Sequence, residues 1–214
     1  MTEDVQRSVR PATAGDADRL ARTLAAAFVD DPVFCHLLPP GVPRRGERLR
    51  RAFAIDGARS LSLGGLWTAA GGNAAAVWFP PGHWRATARQ DLAELPAWLR
   101  AAGGRMRAFQ QVRSTLYAHH RELPPHWYLL YVGTRPEQQQ QGLGRVLLQA
   151  VLDRCDAEQV PAYLESTCER NLPLYRRLGF VDRGALEMPA GCPPMTPMWR
   201  DPAGLDRDDR SSPR

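Results

Sequence analysis

Residues 127–180, WYLLYVGTRPEQQQQGLGRVLLQAVLDRCDAEQVPAYLESTCERNLPLYRRLGF, constrain the fold of this chain more than any other stretch. Trp127 to Val132 is a nearly unbroken apolar run of aromatic and β-branched types, the pattern of a strand covered on both faces. Pro136 ends it, and a turn bearing Gly142 and Gly144 follows. Leu143, Val146, Leu147, Ala150 and Val151 then fall on one helical stripe, so the turn feeds directly into a helix N-terminus. Such an end exposes unpaired N–H groups and the positive pole of the helix dipole, and glycines let a ligand approach the backbone. An anion fits there, most simply a phosphate. Taken alone, Gly142-x-Gly144 reads equally well as a plain tight turn. Ala162 to Thr167 is expected as a strand beside the first, followed by a short helix with Asn171 as cap and Gly179 as stop.

Two nucleotide motifs are excluded. The chain contains no lysine, so it has no Walker-type GxxxxGK, and Gly142-Leu143-Gly144 lacks the third glycine of the dinucleotide fingerprint. Gln139-Gln140-Gln141-Gly142-Leu143-Gly144 instead resembles the Gln/Arg-x-x-Gly-x-Gly/Ala signature of the GCN5-related N-acetyltransferases (GNAT). The segment from Asn171 through Tyr175 to Gly179-Phe180 resembles that family's N-x-x-x-Y-x-x-x-G-F motif, in the right order. Val160–Phe180, Val9–Thr13 and Arg22–Phe28 are similar to the puromycin N-acetyltransferase-like members of the family. The resemblance is good over roughly residues 8–31 and 127–183 and thin between them, where an acceptor site would be built.

The resemblance implies an α/β (α+β) fold of GNAT type. Its mixed central sheet has six to seven strands flanked by helices, with a splayed pair formed by the 127–134 and 162–167 strands and a helical insert between the third and fourth strands. It implies acetyl-CoA as donor, acetyl transfer to a primary amine by direct attack, and no metal. The pyrophosphate would lie on the amides of Gln140, Gln141, Gly142, Leu143, Gly144 and Arg145, next to Gln139. Val132, Gly133 and Thr134 would offer amides to the thioester oxygen and pantetheine arm, with Gly133 marking a bulge, and Asn171 would bind the pantetheine side. Tyr175 would donate a proton or hydrogen bond to the departing sulfur, as a phenol protonated at working pH can.

Acetyl transfer also needs a neutral amine. An alkylamine with a pKa of about 10.4 is only about one part in 10³ neutral at pH 7, so a base or a dry pocket must offset about 4 kcal/mol. Glu165 is the candidate base, since acidic residues on this strand serve so in several members of the resembled family; the other reading of Glu165 is a structural carboxylate. Asp30 and Asp31, which end the first helix, are candidates for binding a cationic amine, or simply a helix-end turn. His36 is an alternative base. His119-His120 points two ways on any helix, so at most one can face a site, and neither has metal-ligand spacing. Cys168 is the local nucleophile a covalent route would need.

The rest of the chain is read as one domain over 8–200, with a flexible N-terminus at 1–7 and a polar, disordered tail at 201–214. A helix carries Leu20, Leu24, Ala27 and Phe28; VFCHLLPPGVP is a loop or broken turn; a second helix spans about Arg44 to Ser60. Leu66–Ala70 and Ala74–Phe79 form a hairpin about Gly71-Gly72-Asn73. A helical insert covers about 82–120, with Trp78, Trp84 and Trp98 at or near it as a wall for an apolar or aromatic acceptor, or as core. Val181–Met188 and Pro197–Arg200 are the final strands.

The net charge of +5 comes wholly from arginine and suits a polyanionic ligand. Arg44, Arg45, Arg48, Arg50 and Arg51 cluster without interleaved aromatics, so they read as a solvated helix face and not as a nucleic-acid surface. The four cysteines form no CxxC pair, so neither zinc nor a disulfide framework is expected. No membrane-length apolar run or signal-peptide core is present, so a cytoplasmic protein, monomeric or homodimeric, is expected. The expected acceptor is a small-molecule amine, an antibiotic or aminonucleoside among the candidates. A protein or peptide acceptor and a non-catalytic coenzyme A sensor are the alternatives.

Overall fold

The computed structural model describes residues 8–204. The N-terminus read as flexible, and residues 205–214 of the tail read as disordered, lie outside the described residues. Seven strands form one sheet in the order β1-β2-β3-β4-β5-β7-β6. They are β1 Val9–Pro11, β2 Leu66–Ala69, β3 Ala74–Phe79, β4 Trp127–Thr134, β5 Ala162–Ser166, β6 Val181–Asp182 and β7 Thr196–Arg200. All neighbours are antiparallel except β4 and β5. The helices are α1 Ala17–Ala27, α2 Pro32–Leu37, α3 Arg45–Ser62, α4 Ala88–Ala102, α5 Met106–His120, α6 Leu143–Ala157 and α7 Leu172–Arg177.

Alternation along β3 explains the layering. Ala75, Val77 and Phe79 face α1, α2, α3 and the α4–α5 insert, whereas Ala74, Ala76 and Trp78 face α6 and α7. All six are fully buried, as a strand covered on both faces requires. Trp78 is therefore core on the α6 side and no part of the insert's wall.

Two readings of the sequence change. The VFCHLLP stretch is helical because Asp31 caps it, accepting from the amides of Val33 and Phe34 at 3.0 and 3.1 Å. Pro32 at the first helical position supplies the right φ there. The penultimate strand is only Val181–Asp182, with a lone bridge from Leu186 to Met195 extending its return. Among the described residues no helix is long and apolar enough to cross a membrane.

The sheet parts at its centre. β4 pairs with β5 only over Trp127–Leu129, although β4 runs on to Thr134 and β5 to Ser166. On its other edge β4 shifts register against β3: Leu129 opposes Trp78 and Tyr131 opposes Val77, so Leu130 is an extra residue. This bulge turns both Leu130 and Tyr131 toward the insert face. The bulge is thus at Leu130, and Gly133 has another cause. A Cβ at Gly133 would lie 2.8 Å from the Ala27 Cβ and 3.2 Å from Leu24 and Phe28, so glycine is what lets α1 lie directly on β4.

Gly133→Ala should therefore overpack the α1–β4 contact at a cost of about 1–3 kcal/mol. In a chain of this size each kcal/mol lowers Tm by about 2–4 °C, and thermal unfolding reads the loss. A second expectation concerns acid. Arg200 on β7 forks onto both oxygens of Asp156 on α6 at 2.7 Å, and this hydrogen bonding holds the Asp156 carboxyl below its ordinary value. A depressed carboxylate stabilises the fold above its unfolded-state pKa and loses that contribution as pH falls through the folded one. The stability difference between wild type and Asp156→Asn, measured by denaturant titration, should be full at pH 7 and shrink progressively below about pH 4.

Candidate active site

Where β4 and β5 separate, the space between them is closed at one end by the N-terminus of α6 and at the side by α7. The result is a groove of about 710 Å³. Gly142 is the N-cap of α6 with φ +79°, and nothing lies within 4 Å of where its Cβ would be. The first helical bond is from the Val146 amide to the Gly142 carbonyl, 3.2 Å, so the amides of Leu143, Gly144 and Arg145 have no acceptor inside the helix. Gln140 also has positive φ, 63°, and the Gln139 side chain is tied to the Thr134 carbonyl at 3.3 Å.

Most residues singled out in the sequence meet in this groove: Val132, Gly133 and Thr134 from β4; Gln139, Gln140, Gly142, Leu143, Gly144 and Arg145 from the turn; Asn171 and Tyr175 from the last motif. Gln141 is exposed and does not line it. Arg170 and Arg177 do line it, and the sequence reading missed both. A run of arginines flanking a short helix carries no signal of its own until the fold shows which way it faces.

Of the proposed amine-binding residues, Asp30 and Asp31 also line the groove and His36 does not. Asp31 is 8% exposed and its carboxylate is already used, one oxygen on the α2 amides and the other accepting from the Thr167 hydroxyl. Burial pushes its pKa up. It is a structural cap beside the groove. Asp30 is exposed at the groove wall. His36 lines neither the groove nor the cavities beyond it, and its ring lies near Gly191.

Tyr175 is 6% exposed and borders both the groove and a smaller cavity of about 90 Å³ behind it. Burial first, and then the nearby Asp31 and Cys168, raise its phenol pKa, so the hydroxyl keeps its proton through the neutral range. Asn171 begins α7 but makes no side-chain cap bond, which leaves its amide facing the groove. Cys168 lines the groove and not the inner cavity.

The inner cavity is lined by Glu165, Tyr128, Tyr131, Phe28, Phe34 and Leu116, among others. Seven of its residues, including Phe34, Leu116, Tyr128 and Tyr131, also line a further cavity of about 70 Å³. That deeper space holds Trp84, Trp98, Asp56, Arg59 and Arg113 under the insert. The three spaces thus adjoin in series: the groove and the inner cavity share Tyr175 and Asn171, Glu165 lines the inner cavity, and the deepest space is an aromatic chamber. Asp56 is buried there, accepts from the Tyr131 hydroxyl at 3.0 Å, and lies 3.8 Å from Arg59. Burial raises its pKa, opposed by Arg59 and Arg113. The signal for Asp56 was a charge three positions after Phe53, on the inward stripe of α3.

The Glu165 side chain is 3% exposed, and its Oε1 lies 3.1 Å from Nε2 of His120, which is 1% exposed. His120 Nδ1 is in turn 3.0 Å from His126 Nε2. The pair His119-His120 did resolve into one inward ring, but the link to His126 across the Pro124-Pro125 turn was not visible in sequence. Among the described residues no cluster of side chains could hold a metal ion.

Residues 80–180 match the profile of the acetyltransferase (GNAT) family. An uncharacterized N-acetyltransferase of Schizosaccharomyces pombe is 32% identical over 178 residues, covering 78% of this chain and 72% of that protein. Among solved structures, a Corynebacterium glutamicum protein described as histone acetyltransferase HPA2 and related acetyltransferase is 28% identical, with a TM-score of 0.67 over 92% of this chain and 96% of that one. A polyamine N-acetyltransferase of Drosophila melanogaster shares the fold at a TM-score of 0.63 and 16% identity, over 91% of this chain and 99% of that one. The parted sheet, the uncapped helix end and these likenesses agree: the chain is an N-acetyltransferase and belongs to the GNAT family.

Proposed function

We propose that this enzyme moves an acetyl group from acetyl-CoA to the primary amine of a small molecule by direct attack. The observation that carries the reading is the succession of an anion-ready groove, an inner cavity and an aromatic chamber, each sharing walls with the next, with Tyr175 and Glu165 lining the middle one.

The groove fits the donor. Three amides without acceptors at the start of α6, with Arg145, Arg170 and Arg177 alongside, suit a pyrophosphate through hydrogen bonds and the helix dipole. The free edge of β4 suits the amide-bearing pantetheine arm, which would add to the sheet as a strand does. When bound, acetyl-CoA supplies an activated acyl carbonyl. Backbone amides near Val132 would receive the charge that develops on that oxygen.

This chain's residues then divide the proton work. Glu165 takes a proton from the acceptor nitrogen, whose electron pair forms the new bond to carbon. Tyr175 gives a proton to the sulfur as the carbon–sulfur bond breaks and its electrons stay with sulfur, and the second proton that the nitrogen sheds as the amide forms restores the phenol. Cys168, outside the inner cavity, is not needed.

The small volume and aromatic lining of the chamber favour a compact amine over a peptide, which needs an open channel. The polyamine and agmatine acetyltransferases among the structural relatives act on amines of that size. A compact arylalkylamine is a sensible first probe, since Trp84, Trp98 and Tyr131 line the chamber; an aminonucleoside antibiotic tests the upper size limit.

Calorimetry with acetyl-CoA should show binding; no affinity would remove the donor assignment. In a thiol-release assay over a panel of small amines and peptides, Tyr175→Phe and Glu165→Gln should each lower kcat by about 10²–10⁴. Acetyl-CoA affinity should stay near wild type in both. Thiol release with peptides but with no small amine would sink the acceptor class. Donor binding with no release from any amine would mark a sensor.

A further inference from the structure

Behind Glu165 lies a line of buried polar atoms that the transfer itself does not explain. Nδ1 of His126 is 2.7 Å from the Pro124 carbonyl. A carbonyl only accepts, so Nδ1 carries the proton. His126 is 1% exposed, and burial lowers its pKa to about 4, so at neutral pH the ring is neutral and Nε2 is a lone pair. That lone pair faces Nδ1 of His120 at 3.0 Å, so the hydrogen-bond network assigns a proton to this nitrogen as well. His120 is left with Nε2, 3.1 Å from Oε1 of Glu165.

Both of these last atoms are fully buried and neither makes a well-formed hydrogen bond, although they stand 3.1 Å apart; the Tyr128 and Tyr163 hydroxyls are the other polar groups at the Glu165 carboxylate. Two lone pairs facing one another in a dry site are strongly unfavourable, and one proton between them removes the conflict. Around them, the His120 ring stacks on Trp84 with centroids 4.8 Å apart and meets Tyr128 and Tyr163 at 4.3 and 5.1 Å. Tyr128 and Tyr163 are held neutral by burial, by the Glu165 charge and by hydrogen bonding to its carboxylate; His119 meets Tyr163 at 5.8 Å, and Asp56, Arg59, Arg113 and Tyr117 line the same chamber as His120. Aromatic rings of this kind are good neighbours for an imidazolium.

We propose that Glu165 and His120 hold one proton between them and act as a single proton-accepting unit, with His126 as a positioning residue that fixes the His120 ring. The proposal rests on Glu165 serving as the base. In the step, a proton leaves the acceptor's ammonium for the second carboxylate oxygen of Glu165, and the nitrogen keeps the electron pair it needs for attack. The shared proton settles on His120 Nε2. The positive charge thus leaves the acceptor and ends on an imidazolium boxed by rings, and no atom or electron is unaccounted for.

Two measurements on the full chain test this, one of them independent of turnover. Nitrogen NMR of histidine-labelled protein at neutral pH should show His126 as a neutral ring protonated on Nδ1, and His120 protonated on Nδ1. The His120 Nε2 signal should shift in Glu165→Gln, because that nitrogen then faces an amide. A neutral His120 with bare Nδ1, or an Nε2 signal that Glu165→Gln leaves unmoved, overturns the proposal.

In the thiol-release assay, with the amine that reacts fastest in wild type, His120→Gln should lower kcat by about 10²-fold with acetyl-CoA affinity unchanged. His126→Gln keeps an acceptor for His120 Nδ1 and should retain most activity, whereas His126→Leu should lose it. Wild-type kcat in His120→Gln also overturns the proposal. Failure of every amine with wild type instead removes Glu165 as base, while the NMR arm still decides where the proton lies.

Discussion

The structure depends on the parting of two parallel strands. β4 and β5 share only three residue pairs before they diverge, which leaves backbone groups of both without strand partners in the middle of a protein. Such groups are costly unless something bonds them. A ligand rich in amides, entering where the sheet opens, resolves the cost, and the wedge also places that ligand's end against the base of the opening. The bulge at Leu130 makes the same break useful on the other side. It turns Tyr131 into the insert, where its hydroxyl meets Asp56 and its ring packs among Phe28, Phe34 and Phe53.

Around that opening the surroundings change character. The groove is broad, with helix-end amides, three guanidinium groups and the Asp30 and Asp31 carboxylates in its wall. Past Tyr175 the surroundings become aromatic, and every carboxylate there is buried: Glu165 against His120, Asp56 against Tyr131 and Arg59. In low dielectric each partnership is worth more than in water, and each orphaned atom costs more.

The sequence disclosed the donor side better than the acceptor side, for a physical reason. Strand, turn and helix in residues 127–157 are contiguous, so periodicity and two glycines sufficed to place the groove. The cavity beyond it is built from α2, α3, the insert and β5, segments remote in sequence whose polar members carry no shared pattern. Asp56 sits in a helix rich in charged residues, and His126 follows two prolines. Gly133 was read correctly as special but for the wrong cause, because only the packed position of α1 reveals what its missing side chain makes room for. Asp31 was legible as either a ligand contact or a helix-end turn; the cap it makes on the next helix, six residues long and hidden among prolines, follows the second reading, in the wall of the groove.

The two halves of this series of spaces are furnished by different parts of the chain. Its donor half comes from the strand–turn–helix run and α7, and its acceptor half largely from α2, α3 and the α4–α5 insert. Substitutions at Trp84, Trp98 or Leu116 can therefore reshape the chamber without disturbing the helix end at the groove. On the reading proposed above, a lineage built on this plan can exchange one amine for another by drift in the insert alone, keeping its acyl supply constant while its chemical repertoire diversifies.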